Sequence, residues 1–587
     1  MARSKRKRPP LPAQAGLWPW GEKGTGAFLA SLAAIVAAGW AAHGGCLHAV
    51  FFLDDWGHIV NNPSLRQGAP GSDFNSVTEW TYRLFGSGAF ACHLGNLLIH
   101  LLFAVLVWRL GPLFFRHAPR PWGKIDPGTA AFFAALLFAT HPLASEITHY
   151  ARARDHELVG LFSFLTATAT LLWLKRGWRW APAVLAAGIL AAMAKGPGPA
   201  HAVLAFAATC LFLGTRDELR ARFLHRWTAY ALAVLPLLAL VAAPGSVLLW
   251  VQRISGTWGG GLFGLHALTQ ARVFWEYAWR MPLPLGLCPD HLIAYTKTAA
   301  DLPAWLGLAG IAAGGAVVAV LWRNGHRLAA FLLFMVAANL LLRWFYVLSE
   351  LMVEYRVYPS MPWLCLLAGT GLAWLFLRRR AAALALLAVL LGAGIVLTRE
   401  RSAVWSSSEA LTGSILRQYP WQLRAYMELT YLDYLHHDPD AALARLPGFY
   451  ARLREALEWN RESPDRAYAN WPLWAVSVEC NVADCLLRAG RLAEADEILR
   501  RTHRNLLENH LEDDLLWDSW RFEMAKLENR RGDYGRAWLD LRRMNGWLFD
   551  PADYAAELDR AGNGWAAQAP APSGRGPGPA SAPAPKR

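Results

Sequence analysis

Residues 89–115 read AFACHLGNLLIHLLFAVLVWRLGPLFF, and the reading of this run decides the fold. A bilayer's hydrocarbon core is about 30 Å thick, so a helix rising about 1.5 Å per residue crosses it with roughly 20 apolar residues. The run is long enough. His93, Asn96 and His100 interrupt it at i, i+3 and i+7, one stripe on one helical face. Polar groups are costly in lipid, so that face turns towards protein, where it either bonds a neighbouring helix or lines a site. The first arrangement is the commoner.

Similar runs recur near 27–50, 129–147, 157–174, 180–195, 198–214, 228–250, 303–322, 327–346, 358–377 and 380–398. Together they predict an all-α polytopic membrane protein with about eleven transmembrane helices. Composition agrees: a chain of 587 residues that is 55% hydrophobic and 17% charged is too apolar for an ordinary soluble protein. Seven cysteines without a CxxC pair indicate neither a zinc site nor a disulfide framework. The net charge of +14 and the KRKR run at 5–8 would suit nucleic acid, but the basic residues are spread over loops between apolar runs. That is a topology signal, and no nucleic-acid partner is expected.

With a cytoplasmic N-terminus carrying Arg3, Lys5, Arg6, Lys7 and Arg8, the basic strings RHAPRPWGK, KRGWR, TRDELRARFLHR, RNGHR and RRR all fall on the cytoplasmic side. DDWGHIVNNP, HPLASEITHYARARD, segment 251–302 and LSELMVEYRVYPS fall on the other. An odd number of spans places everything after 398 outside as well, and no cleavable signal is expected. The composition leans towards a bacterial inner membrane, with a periplasmic C-terminal part.

The domains expected are a cytoplasmic basic segment 1–26, a membrane domain 27–398, a helical domain 399–565 and a disordered Pro/Ala-rich tail 566–587. Within 399–565, Gly490/Ala495 and Gly532/Ala537 share a spacing found in tetratricopeptide-type (TPR) helix pairs. The glycines stand 42 apart rather than at the repeat's usual interval, so the units are TPR-like and degenerate, with an unrelated helical bundle as the alternative.

FFLDDWGHIVNNPSL at 51–65 places Asp54 and Asp55 at the outer mouth of the first span. Carboxylates there are either solvated loop acids or members of a wet cavity. Four further polar clusters have the same sidedness: the His93/Asn96/His100 stripe; His141, Glu146, Arg152, Arg154 and His156 in HPLASEITHYARARDHELV; Lys195 in AAMAKGPG; and Glu354, Arg356 and Tyr358 in VEYRVYPS.

FLDDWGHIVNNPSL, LFGSGAFACHLGNLLIH, THPLASEITHYARARDHELVGLF, AKGPG, LTQARVFWEYAWRMPLPLGLCPDH, EYRVYPS and RSAVW, in that order over about residues 45–410, resemble the signature blocks of the transmembrane and TPR-containing O-mannosyltransferases and their bacterial relatives, of the GT-C superfamily. The chain departs from that pattern at Asn75-Ser76, where many relatives have Arg-Pro, and at His156, where an acid is expected. The resemblance implies a GT-C fold and transfer of a sugar, mannose-like, from a polyprenyl-phosphate donor to an acceptor hydroxyl, of a protein gripped by the TPR-like domain or of an envelope glycan or lipid. It implies Asp54 as the base, with Asp55 orienting the acceptor or holding a divalent metal. Lys195, Arg154, Arg356 and Arg152 are the cations for the leaving phosphate, Lys195 and Arg356 ranking above Arg152. Arg356 paired only with Glu354 is the plainer alternative for that residue. His93, Asn96, His100, His141, Glu146, His156, Glu354 and Tyr358 are expected to support the site.

The amphipathic ARVFWEYAWRM is expected to lie in the membrane interface with Phe274, Trp275 and Trp279 towards acyl chains, forming part of the donor's groove. A transporter or flippase of polyprenyl-linked lipid, or a membrane anchor for a helical scaffold, are the rival classes; the first predicts internal repeats, and none is evident.

Overall fold

The computed structural model describes residues 24–60, 65, 76–118, 124–223, 263–345, 350–460, 471–508, 514–544 and 551–568. The span expected at 228–250 and the tail from 569 lie outside these. Every element among the described residues is helical, and the chain divides into two compact units, one ending at Tyr419 and the next beginning at Pro420.

The first unit contains α1 (Thr25–His43, extended by a 3-10 turn Gly44–His48), α2 (Ser76–Phe85), α3 (Ala89–Arg116), α4 (Pro127–Ala139), α5 (Ser145–His149), α6 (Arg154–Arg176), α7 (Ala181–Ala194), α8 (Gly198–Leu213), α9 (Arg216–Phe223), α10 (Phe263–Arg280), α11 (Leu302–Arg323), α12 (Arg327–Leu341), α13 (Met361–Arg378), α14 (Arg380–Val404) and α15 (Ser408–Gln418). Among the described residues, six helical segments are long and apolar enough to cross a membrane: Thr25–His48, Ala89–Arg116, Ala151–Arg176, Leu302–Arg323, Glu354–Arg378 and Arg380–Val404. A seventh, expected as one helix over 129–147, is a pair bent by 53° between Pro127–Ala139 and Pro142–His149. The break is local: Pro142 has no N–H to donate, and a residue before proline is driven to extended backbone, as His141 is at ψ 126.

Three other expected spans are apolar but short. Helices α7, α8 and α12 have 14, 16 and 15 residues, which is about 21–24 Å of length. Side chains of three of the basic strings pair with the ends of neighbouring helices. Lys175 donates to the Leu213 carbonyl and to Glu218, Arg222 to the carbonyls of Trp173 and Leu174, and Arg327 to that of Gly214. Three of the basic strings thus meet at one end of the unit.

Helix α14 continues past 398, and α15 follows it in the same unit, so the boundary lies near 420 rather than at 399. The polar letters after 399 mislead because Arg401 and Trp405, at 6% and 1% exposure, are packed inside the membrane unit.

The second unit comprises α16 (Leu423–Leu435), α17 (Pro439–Asn460), α18 (Trp471–Arg488), α19 (Leu492–Glu508), α20 (Asp514–Arg531), α21 (Tyr534–Arg543) and α22 (Pro551–Gln568). Gly490 and Gly532 end their helices in the left-handed conformation, at φ 76° and 82°. The next N–H then reaches five residues back, Arg491 to the Leu486 carbonyl and Asp533 to that of Glu528, both at 2.9 Å. Ala495 and Ala537, five residues beyond each glycine, are fully buried. A third copy of this turn was hidden in the sequence. His437 has φ 56°, Asp438 donates to the Asp433 carbonyl at 2.9 Å, and Ala442 is fully buried.

A side chain in the left-handed region costs about 1–2 kcal/mol that glycine escapes. His437→Gly should therefore raise the stability of the second unit by about 1 kcal/mol, less what glycine loses in unfolded-state entropy. Thermal unfolding of the full chain checks this; a lowered midpoint would mean that the imidazole contributes more than the backbone strain removes.

Candidate active site

The chain leaves α1 through the 3-10 turn, and the Val50 N–H bonds the Trp405 carbonyl at 3.1 Å. Leu53 then takes φ 45°, a strained conformation for a branched side chain. It turns the two acids in opposite directions, Asp55 fully buried and Asp54 exposed. One Asp55 oxygen accepts from the Phe52 N–H at 3.1 Å and the other from the Arg152 N–H at 2.7 Å. The segment that follows α1 is thereby fastened to the 3-10 turn Ala151–Ala153 that leads into α6. Both Asp55 oxygens are engaged by backbone, so the roles expected of it, acceptor orientation or metal ligation, are not what its surroundings support.

Arg152 leads into a compact ion cluster. Asp155, with no exposed surface, receives Arg152 at 2.6 Å, Lys195 at 2.7 Å and the His156 ring at 2.8 Å. Lys195 reaches it from the break between α7 and α8. The two cations remain partly open, 18% for Arg152 and 26% for Lys195. Asp54 acts electrostatically on Arg152, on Tyr150 and, with Asp155 and Lys195, on His58. One exposed carboxylate and two half-open cations thus share a neighbourhood.

Tyr355 forms a wall of it. Its ring lies 4.4 Å from that of His156 and 6.1 Å from that of Tyr150, with Lys195 at 5.8 Å and Arg356 at 6.0 Å from its centre. Its backbone N–H is held by Glu146 at 2.7 Å. Glu354, fully buried, accepts from the Cys288 N–H at 2.6 Å, His291 at 3.0 Å and Arg401 at 2.9 Å. Arg356 is therefore not Glu354's partner; it donates to the Glu350 carbonyl at 2.5 Å and lies 3.6 Å from that carboxylate, at 7% exposure. Its expected rank above Arg152 reverses, because Arg152 is the more open of the two.

The stripe on α3 is structural. Asn96 donates to the carbonyls of Ile147 and Tyr150, His93 bonds the Thr148 carbonyl, and His100 bonds the Tyr358 hydroxyl at 2.8 Å. Asn96 and His93 thus satisfy main-chain carbonyls left over where α5 ends, as a buried backbone requires, while His100 ties α3 to Tyr358. Arg154 belongs with them. It is fully enclosed, donating to Asn96 at 2.6 Å and the Cys92 carbonyl at 2.5 Å, and stacked 4.2 Å over Tyr82. A Cβ at Gly95 would come within 2.6 Å of its guanidinium. The phosphate contact expected of Arg154 is thus geometrically closed. His141 tethers its turn to the Met281 carbonyl at 2.8 Å.

On α10, Trp275 and Trp279 are exposed as expected of an interfacial helix, whereas Phe274, at 9% exposure, faces inwards. An apolar cavity of 580 Å³ lies between α8, α10, α11 and α12, with Phe212, Trp275, Gly310 and Phe334 in its walls. Tyr277 of α10 exchanges hydrogen bonds with the N–H and carbonyl of Val353, next to the Glu354–Arg356 segment.

Asp155, Tyr355, Arg401 and His291 are the residues that sequence reasoning missed, although all four stand inside the quoted motifs. No known family's sequence profile matches the chain, and no curated protein or solved structure matches it.

Burial pushes the Asp55 carboxyl from 3.8 up to about 8, against the pull of the Phe52 and Arg152 N–H groups. A folded value above the unfolded one means that the native chain binds the proton more tightly. This group's contribution to stability is therefore full below the unfolded value and is lost as pH rises towards about 8. Between about pH 5 and pH 8 the unfolding midpoint of the native sequence should fall more than that of Asp55→Asn, which has no proton to lose. At the lower pH the variant should be weaker by about 1–3 kcal/mol, since its NH2 cannot accept from a backbone N–H. Parallel pH profiles would refute the burial argument.

Proposed function

We propose that the chain is a membrane glycosyltransferase that moves a sugar from a polyprenyl-phosphate donor to an acceptor hydroxyl at the end of the membrane unit that carries Asp54. One observation carries the reading: Asp55 fastens the exposed Asp54 beside Arg152 and Lys195, which converge on Asp155 from sequence blocks far apart. Asp54 takes the proton of the acceptor hydroxyl as its oxygen attacks the anomeric carbon. The bond from that carbon to the phosphate oxygen breaks, its electron pair goes to the phosphate, and Lys195 and Arg152 stabilise the charge that develops. Asp155 holds both cations in place and keeps their charge balanced before the donor arrives. The 580 Å³ apolar cavity beside α10 suits the isoprenoid chain, and its link through Tyr277 leads to the polar cluster.

The resemblance in the sequence favours a mannose-like hexose and a protein acceptor, gripped by the TPR-like helix pairs; an envelope glycan or lipid is the second acceptor class. The outer-face topology with a cytoplasmic N-terminus belongs to the same proposal.

The test is transfer by the full-length protein reconstituted in liposomes with polyprenyl-phosphate mannose and a hydroxyl-bearing peptide. Asp54→Asn should lower turnover by roughly 10²- to 10⁴-fold, the usual yield of a positioned general base. Lys195→Gln should lower turnover while leaving Asp155 its bonds to Arg152 and His156. Lipid crossing the bilayer with its sugar still attached, in the absence of transfer, would make the chain a flippase.

A further inference from the structure

A second cavity lies between a different set of helices and is given no part in the proposed transfer. It measures 370 Å³ and opens between α3, α6 and α7, with Leu113, Phe162, Leu172 and Ala186 in its walls. Arg109 and Arg116 line it as well. They are seven residues apart on α3, two turns, so both stand on the same helical face with their Cα positions roughly 10 Å apart along the axis, close enough for two arginine side chains to converge on one phosphate. Arg116 ends the helix and is exposed. Arg109 stands two turns inside the apolar run, half-buried, its guanidinium over the rings of Phe28 at 5.1 Å and Trp108 at 5.5 Å. A guanidinium stacked on aromatic rings keeps its positive charge, which draws an anion towards the cavity it lines.

The rim adds to this charge. Lys175, Arg176, Arg116 and Glu218 all act on His117 just beyond the end of α3, and Glu218 is already held by Lys175 at 2.9 Å. Trp180 lines the cavity and Trp178 is exposed beside it, the residue type that settles at the headgroup level of a bilayer. An apolar cleft open to acyl chains, two arginines along one wall and a basic, tryptophan-bearing mouth together match one chemistry: a phosphate carried on a hydrocarbon tail.

We propose that this cleft binds an anionic phospholipid of the leaflet at that end of the membrane, its phosphate held by Arg109 and Arg116 and one acyl chain laid between α6 and α7. The site is separate from the proposed sugar transfer and stands or falls without it, since occupancy is read in the absence of any donor.

The experiment is native mass spectrometry of the delipidated full-length protein with phosphatidylglycerol or phosphatidylethanolamine added back. One phosphatidylglycerol should be retained in preference to the zwitterionic lipid. Arg109→Gln and Arg116→Gln should each weaken retention about fivefold, the factor equivalent to about 1 kcal/mol per basic residue at a lipid surface. Ala186→Phe, which fills the cleft and changes no charge, should weaken it too, with helix content by circular dichroism unchanged. If Arg109→Gln fails to fold, Arg116→Gln at the helix end and Ala186→Phe carry the test. Equal retention of both lipids, retention unaffected by Arg116→Gln and Ala186→Phe, or displacement of phosphatidylglycerol by polyprenyl phosphate alone would each overturn the assignment.

Discussion

The buried carboxylate of Asp55 is the constraint on which the rest of the candidate site depends. It accepts one main-chain N–H from its own turn and one from Arg152, 97 positions further along. No side chain is needed at the far end, so the tie fixes backbone to backbone and places whatever residues flank it. On one side that is Asp54, on the other Arg152 and the helix start that presents Asp155. Removing a carboxylate from water is expensive, and two N–H bonds offset only part of the cost. Such a group is retained in a wet corner of a membrane domain only where the geometry it enforces is worth more than the stability it forgoes.

Asp155 plays the complementary part. Arg152, Lys195 and His156 all converge on it, which leaves the cluster with more positive character than a simple ion pair and leaves two of its cations partly open to solvent. A further negative group can join such a cluster without first breaking it. The neighbouring Glu354–Arg401–His291 network is closed by contrast, and its role is to stiffen the segment that positions Tyr355. The polar groups therefore divide by exposure into those that hold the segments together and those that stay partly open to solvent.

Much of this architecture was legible in the letters. Apolar length located α3, α6, α11, α13 and α14, because a span needs nothing more than an unbroken run. The bend at His141-Pro142 carried its own signal, though hydropathy averaged it away. Spacing marked the stripe on α3, but only the structure shows that His93 and Asn96 meet backbone carbonyls of the 147–150 segment and His100 the Tyr358 hydroxyl, which no pattern of residue types records. Arg154 and Arg152 look equivalent in ARARD; a two-residue step on a helix start sends one into the α3 packing and the other towards the cluster. In the second unit the turn at 437 was invisible because histidine stands where glycine announces the other two.

The shortness of α7 has a consequence for the membrane itself. Its basic end carries the exposed Trp178, which anchors at a headgroup layer. The three-residue 3-10 turn from Trp178 and the 14 residues of α7 together advance about 27 Å, against a core about 30 Å thick. Lys195 stands at the end of that run. Hydrophobic mismatch of this kind costs a fraction of a kcal/mol for each Å. A run of that length suits a bilayer thinner than average, and under the proposed sugar transfer it would hold Lys195 a few Å nearer to the acyl chains than a full-length span would.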